Sequence, residues 1–403
     1  MGNDVSKPFE QIAREMSQPF EHIARGVSQP IEQIARGVSQ PIERIARGVS
    51  QPIEQIARGV SQPIEQIARG VSQPIEQLAR VVSNHIEKEK LLQVERDKLG
   101  DLQQRCGCCY PGCEYRSSDR KNWMAVLDPG KLIINKIVWP GTHNSATNGI
   151  GIPLITRPFA ECQTLSIYEQ LVKGVRLLDV RVQEDRQICH GPLKSYSVGV
   201  VLEDVKRYLA ETVSEIIILE IRTEFGHNDP HEFDKYLEEM LGGYLIPQDD
   251  NVFGNSVAEV LPKRVICIWK PRNSGVQQTS SLLWSGGYLR DDWVDTDLPL
   301  TKFQSNLDHL GEQPTVSARN FFYRVENTLT PQADNPGLYL TALTGWINGY
   351  ARLFIAQCLS KGIADRFQSF RCLADETAFL LLYVKGIMTS WNVSWCGQIL
   401  ILW

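Results

Sequence analysis

The sequence predicts an α/β domain built on one parallel sheet, preceded by a helical array of short repeats. Three observations carry this. Ile216-Ile217-Ile218-Leu219-Glu220-Ile221 is an apolar, mostly β-branched run broken only by Glu220, the pattern of a strand buried on both faces. Runs of this kind alternate along the chain with stretches at helical spacing. Before them, residues 6–82 repeat every eleven residues.

Composition narrows the function. The chain has 403 residues and a net charge of −5, so no global basic field draws it to nucleic acid. Its 10 cysteines are too few for a disulfide scaffold at this length. The N-terminus has no apolar signal core. The expectation is an intracellular, cytoplasmic protein with reduced thiols.

Met1-Gly2-Asn3-Asp4-Val5-Ser6 fits the N-myristoylation pattern, with Gly2 as acceptor. A clean copy of the repeat that follows is Ser28-Gln29-Pro30-Ile31-Glu32-Gln33-Ile34-Ala35-Arg36-Gly37-Val38. Ile31, Ile34, Ala35, Val38 and Ile42 fall in one apolar stripe, which an eleven-residue period keeps nearly straight along a helix. Pro30 suits a first helical turn and Gly37 a helix end. A continuous helix would lose roughly 3 kcal/mol at each internal Pro. A string of short or kinked helices is therefore expected. Beside a single acyl chain, which holds a membrane only marginally, the stripe reads as a second membrane contact. Oligomerisation and a disordered spacer are the competing readings. Residues 85–105 read as a solvated helix with Leu91, Leu92, Val94 and Leu99 inward. Cys106, Cys108, Cys109 and Cys113 lack the spacing of zinc knuckles. Palmitoylation or a plain linker fits them as well. The predicted divisions are 1–100 for the array, 101–118 for the linker, 119–370 for the catalytic domain and 371–403 for a divergent tail.

Within the α/β domain, residues 132–139 read as a short buried strand stopped by Pro140 and Gly141. This leaves His143 just past its C-terminal end, among Thr142, Asn144 and Ser145. Residues 165–173 read as a helix leading to the strand Leu177-Leu178-Asp179-Val180-Arg181-Val182. There period 2 puts Asp179 and Arg181 on one face. Buried charges are costly without a partner, so this face needs a reason. His190 follows an apolar pair and precedes Gly191. A helix is expected at 198–210 and another at 233–241. Further strands are expected at 265–269, ending in Lys270, and at 320–325. One histidine in a loop is ordinary. Two histidines, a carboxylate and a guanidinium at strand ends suit acid–base cleavage of a phosphodiester.

The residues also carry a resemblance. Gly141-Thr142-His143-Asn144-Ser145, Leu177-Leu178-Asp179-Val180-Arg181, Cys189-His190-Gly191 and Glu215-Ile216-Ile217-Ile218-Leu219-Glu220 resemble the X domain of phosphatidylinositol-specific phospholipase C, in motif, order and spacing. The plant group of such proteins is matched through Trp123-Met124, Arg222-Thr223-Glu224-Phe225-Gly226-His227 and Ile268-Trp269-Lys270-Pro271-Arg272. The resemblance runs from about Asp119 to Phe370. It implies a distorted (βα)8 TIM-like barrel and cleavage of phosphatidylinositol-type lipids to diacylglycerol and an inositol phosphate, partly cyclic. It implies that His143 deprotonates the inositol 2-hydroxyl, that His190 protonates the leaving oxygen, and that Asp179 supports His190. Arg181 takes the place of calcium in metal-dependent relatives, and Glu220, Arg222 and Lys270 read the head group. Arg181 and Arg222 would repel a cation, so cleavage without metal or cofactor is expected. The implied partners are a phosphoinositide lipid and the membrane surface it lies in. The alternative is a catalytically impaired lipid-binding or scaffold protein. Two departures bear on this. Asn144 stands where bacterial-type and most similar plant sequences carry Asp, which leaves Arg181 without that partner. Residues 371–403 match no part of the family, so an incomplete last barrel unit is expected, and Lys385, Asn392 and Gln398 break the tail too often for a membrane span.

Overall fold

The computed structural model describes residues 83–84, 86–106, 119–153, 155–273, 280–330, 332, 350–363, 366 and 398–402. The chain divides into two compact units, Met1–Gln93 with Gln332–Pro336, and Val94–Pro331 with Gly337–Trp403. Gly2, the repeats up to residue 82, Cys108, Cys109 and Cys113 lie outside the described residues.

In the larger unit the parallel strands are β1 (Trp139–Thr142), β2 (Leu177–Val182), β5 (Ile217–Thr223), β6 (Val265–Lys270), β7 (Trp284–Ser285), β8 (Leu289–Asp291) and β9 (Phe322–Glu326). A hairpin of β3 (Gln187–His190) and β4 (Leu193–Ser197) branches from β2. The strand order is β7-β6-β5-β2-β1-β10-β9-β8, where β10 is Gln398–Leu402. No ladder joins β7 to β8 among the described residues, so the sheet curls without closing there.

Register layers the interior. Leu177 lies beside Ile218, Asp179 beside Glu220, and Arg181 beside Arg222, which in turn lies beside Lys270. Leu289 lies beside Phe322, and Asp291 beside Arg324. Period 2 therefore puts an apolar floor of Trp139, Leu177, Ile218, Ile266 and Phe322 under a charged upper layer at the C-terminal strand ends. The alternate residues Leu178, Val180, Val182, Ile217, Leu219, Ile221, Val265 and Cys267 pack with Val201, Val205 and Leu209 of the helix Val198–Ala210 and with Leu237 of the helix Phe233–Leu241.

Three expectations change. The run 132–139 is not one strand, because Ile134–Lys136 is a 3-10 turn and the strand begins at Trp139, carrying Pro140 and Gly141 within it. Pro140 is tolerated because its carbonyl, the group it retains, accepts from Arg176 N at 2.8 Å. In the helical residues 86–106, Leu92 and Leu99 are buried but Leu91 and Val94 are exposed, and the buried polar residue on the inner face is Glu95. Its carboxylate accepts from the backbone N–H groups of Leu300 and Thr301 at 2.9 and 3.1 Å. It thereby caps the helix Pro299–Glu312, which has no side-chain cap of its own. Finally, the tail does not leave the sheet short. β10 fills the place between β1 and β9, antiparallel to both.

Candidate active site

β1 ends at Thr142, and the turn that follows holds His143 and Asn144, the latter with φ of +46°. Thr142 Oγ1 and Gln170 Nε2 tie this turn down: the hydroxyl donates to Gln170 Oε1, and the amide donates to the Ser145 carbonyl at 2.8 Å. Asp179 Oδ2 accepts from Asn144 N at 3.1 Å and lies 3.1 Å from His143 Nδ1. Glu326 Oε2 is 4.0 Å from the same nitrogen. On the other side of the ring, Nε2 faces Asn144 Nδ2 at 3.2 Å and Arg181 Nη2 at 3.5 Å. Both neighbours are donors, so the lone pair sits on Nε2 and the ring proton on Nδ1, toward Asp179.

Asp179 therefore serves His143, not His190 as the resemblance implied. β2 is laddered to β1, with Thr142 beside Leu178, so an inward side chain at 179 reaches the neighbouring turn. His190 sits further off, at the end of β3 in the hairpin. Its Nδ1 donates to the Ala160 carbonyl at 2.8 Å, which leaves Nε2 for the site. Cys162 Sγ lies 3.9 Å from His190 Nδ1 and accepts from Asn144 Nδ2 at 3.6 Å.

Arg181 is held without an Asp at position 144. Its Nη1 donates to Glu224 Oε2 at 3.2 Å, and its Nη2 is 3.6 Å from Asp179 Oδ2. Glu224 Oε1 also accepts from Gly191 N at 3.1 Å, next to His190, so one carboxylate ties the guanidinium to the hairpin turn. His227 Nε2 donates to the Gly191 carbonyl at 3.0 Å.

Glu220 and Arg222 share a face but do not pair. Glu220 is fully buried and bonds Arg324 and, at 2.8 Å, Lys270. Arg324 also reaches Asp291 at 2.5 Å and Glu326 at 2.6 Å. Arg222 makes no hydrogen bond or ion pair among the described residues and acts as a nearby charge on Glu220, Glu224 and Asp291. Arg324, Glu326, Asp291 and Trp293 are site residues that the sequence reading missed. The signal was present for two of them: Arg324 and Glu326 alternate with apolar residues in β9 as Asp179 and Arg181 do in β2.

The environments of the two imidazoles differ in sign. Burial pushes His143 below its ordinary value, with Asp179 opposing and Arg181 reinforcing. Burial also works against a charge on His190, but the Cys162 sulfur and the Glu224 carboxylate outweigh it, and the ring is pushed up to about 9. Burial would raise Asp179, yet Arg181 and His143 hold it well below the usual carboxylate range. At neutral pH the site thus holds a neutral imidazole, a charged one and a guanidinium.

Residues 138–267 match the family profile described as "Phosphatidylinositol-specific phospholipase C, X domain". The match to this family covers about a third of the chain. The chain is 33% identical over 126 residues to a 1-phosphatidylinositol phosphodiesterase of Listeria monocytogenes, spanning 31% of this chain and 39% of the relative. It is 28% identical over 165 residues to the variant-surface-glycoprotein phospholipase C of Trypanosoma brucei brucei, spanning 32% and 46%. The chain thus spans less than half the length of these curated relatives. The structure is similar to that of the phosphatidylinositol-specific phospholipase C from Listeria monocytogenes, with a TM-score of 0.50 and 18% identity, covering 67% of this chain and 98% of that one. The matched residues therefore lie in a distorted TIM-like barrel fold, in which no ladder joins β7 to β8 among the described residues.

Proposed function

We propose that this protein is a phosphoric diester hydrolase that cleaves phosphatidylinositol-type lipids to diacylglycerol and inositol phosphate by acid–base catalysis between His143 and His190. The observation that carries the reading is the opposed tuning of two buried imidazoles around Arg181. A base and an acid sharing one reaction need their ionisations pushed apart. His143, with its lone pair on Nε2, takes the proton from the inositol 2-hydroxyl. That oxygen bonds to phosphorus as the bond to the diacylglycerol oxygen breaks. His190 passes the Nε2 proton to the departing oxygen. Arg181 neutralises the phosphoryl oxygens through its planar fork. The cyclic product opens when water takes the place of the departed diacylglycerol: His190 takes a proton from the water as its oxygen bonds to phosphorus, and His143 gives its proton to the 2-oxygen as that oxygen leaves phosphorus. Asp179 and Asn144 orient His143, and Arg222 and Lys270 supply cations at the mouth for an anionic head group.

The reading also places the protein at a membrane surface. Ile152, Ile155 and Phe159 are exposed on the segment whose ends, His143 and Cys162, both lie in the site, and Phe225 is exposed beside Glu224. Apolar side chains at the rim of a site suit a lipid surface. No helix among the described residues is long and apolar enough to cross a membrane. Peripheral attachment, aided by a myristoyl group on Gly2, fits that arrangement. Cleavage is expected to proceed without a metal, since Arg181 and Arg222 hold the positive charge.

The test is release of diacylglycerol and inositol phosphate from phosphatidylinositol vesicles by the full chain, with His143→Ala and His190→Ala alongside and a calcium chelator in a separate arm. Wild-type turnover that both variants abolish, unaffected by chelation, is expected. Wild type as inert as the variants overturns the enzyme reading in favour of lipid binding alone.

A further inference from the structure

Lys302 is a fully buried lysine outside the machinery described so far. It lies on the helix Pro299–Glu312, the helix capped by Glu95. Lysine is rarely buried without a function or a partner for its charge. Here the ammonium has two partners, and both belong to one short segment. Nζ donates to the Val294 carbonyl at 2.7 Å and lies over the Trp293 ring, 4.3 Å from its centroid. Trp293 in turn stacks on His143, with centroids 5.8 Å apart and planes 29° from parallel.

We propose that Lys302 is a positioning residue for His143, acting through Trp293. The proposal rests on the reading of His143 as the base. The ammonium fixes the segment twice, at the backbone of residue 294 and at the ring of residue 293. The ring held in this way stacks on the imidazole. The polar contacts of the His143 side chain lie at its two ring nitrogens. Asp179 and Glu326 approach only its Nδ1 edge, and Arg181 and Asn144 only its Nε2 edge. Edge contacts define where the nitrogens point, whereas a stacked ring restrains tilt out of that plane. A base whose lone pair is tilted away from the attacking hydroxyl loses rate without losing substrate affinity.

Charge acts in the same direction as packing. The groups facing His143 are Asp179 and Arg181 from β2, Glu326 from β9, the Asn144 amide and the Trp293 ring. Those acting on Lys302 are Glu326, Asp295 and Asp291. Removing the ammonium takes a cation from Glu326, which lies 4.0 Å from His143 Nδ1, and loosens the ring that shields the imidazole from water. Both changes favour the imidazolium.

The experiment compares wild type, Lys302→Met and Trp293→Leu in the full chain. One readout is kcat and KM on a soluble inositol nitrophenyl phosphodiester, which removes membrane binding from the measurement. The other is the titration of the His143 ring by carbon-13 NMR, which needs no turnover. For Lys302→Met, kcat is expected to fall about tenfold, with KM within about twofold of wild type. The His143 midpoint is expected to move to higher pH. Trp293→Leu, at a half-buried loop position, is expected to reproduce both effects and remains readable if Lys302→Met fails to fold. Variants that unfold cooperatively like wild type yet keep its kcat and its His143 midpoint overturn the proposal. An inert wild type overturns the proposed activity instead, and the NMR arm then decides the positioning of His143 by itself.

Discussion

Raising the pH across the range in which His190 titrates should remove both activity and stability from this domain. The ring is pushed up to about 9, against an ordinary value of 6.5. That difference, at about 1.4 kcal/mol per pH unit, corresponds to about 3–4 kcal/mol of tighter proton binding in the folded state. Because the folded value lies above the unfolded one, that stabilisation is fully present below about pH 6.5. It is lost progressively as pH rises through about 9. His143 behaves oppositely: its value is lowered on folding, so it costs stability as pH falls below about 6.5. Catalysis needs His143 neutral and His190 charged. The rate should therefore form a plateau across pH 7, with an acid limb below about 6.5 and an alkaline limb near 9. Initial rates on phosphatidylinositol vesicles and urea midpoints, each followed against pH, measure the two effects separately. Cys162 is the first contact that favours the charged ring, so Cys162→Ala should draw the alkaline limb down toward neutrality. An alkaline limb already near pH 6.5 in the wild type would refute the assignment of His190 as the acid.

Other substitutions test the parts of the barrel one at a time. Arg181→Lys keeps a charge but loses the fork shared with Glu224 and Asp179. The rate on vesicles should drop about 100-fold, with the urea midpoint little changed. Glu215→Leu leaves the fully buried Arg176, which Glu215 holds at 2.5 Å, without its counter-charge. Urea unfolding should show a loss of about 3–5 kcal/mol. Glu95→Ala removes the cap from the helix Pro299–Glu312 and should cost about 1–2 kcal/mol in the same assay. A loss of less than half that would mean that water or a neighbour replaces the carboxylate.

Local pattern was enough for much of this fold. The helices at 198–210 and 233–241 coincide with their apolar spacing, because each buries one stripe and exposes the rest. The β-branched run at 216–221 became β5, as expected of a strand covered on both faces. The apolar run ahead of His143 misled, since apolar content alone does not separate a 3-10 turn from a strand. The short strands β7 and β8 carry too few residues for any period to show.

The same division runs through the site. The sequence by itself picked out the candidate residues, His143, His190, Asp179, Arg181, Glu220, Arg222 and Lys270, each marked by a charge or an imidazole within or at the end of an apolar run. Partnership was decided only in the tertiary structure. Asp179 turned to His143 because β2 lies beside β1. Glu220 turned to Lys270 and Arg324 because β6 lies beside β5 and β9 faces it across the barrel. Arg181 found Glu224 where position 144 offers no carboxylate. Strand neighbours in a barrel come from segments far apart in the chain, so no spacing along one strand specifies which charge meets which.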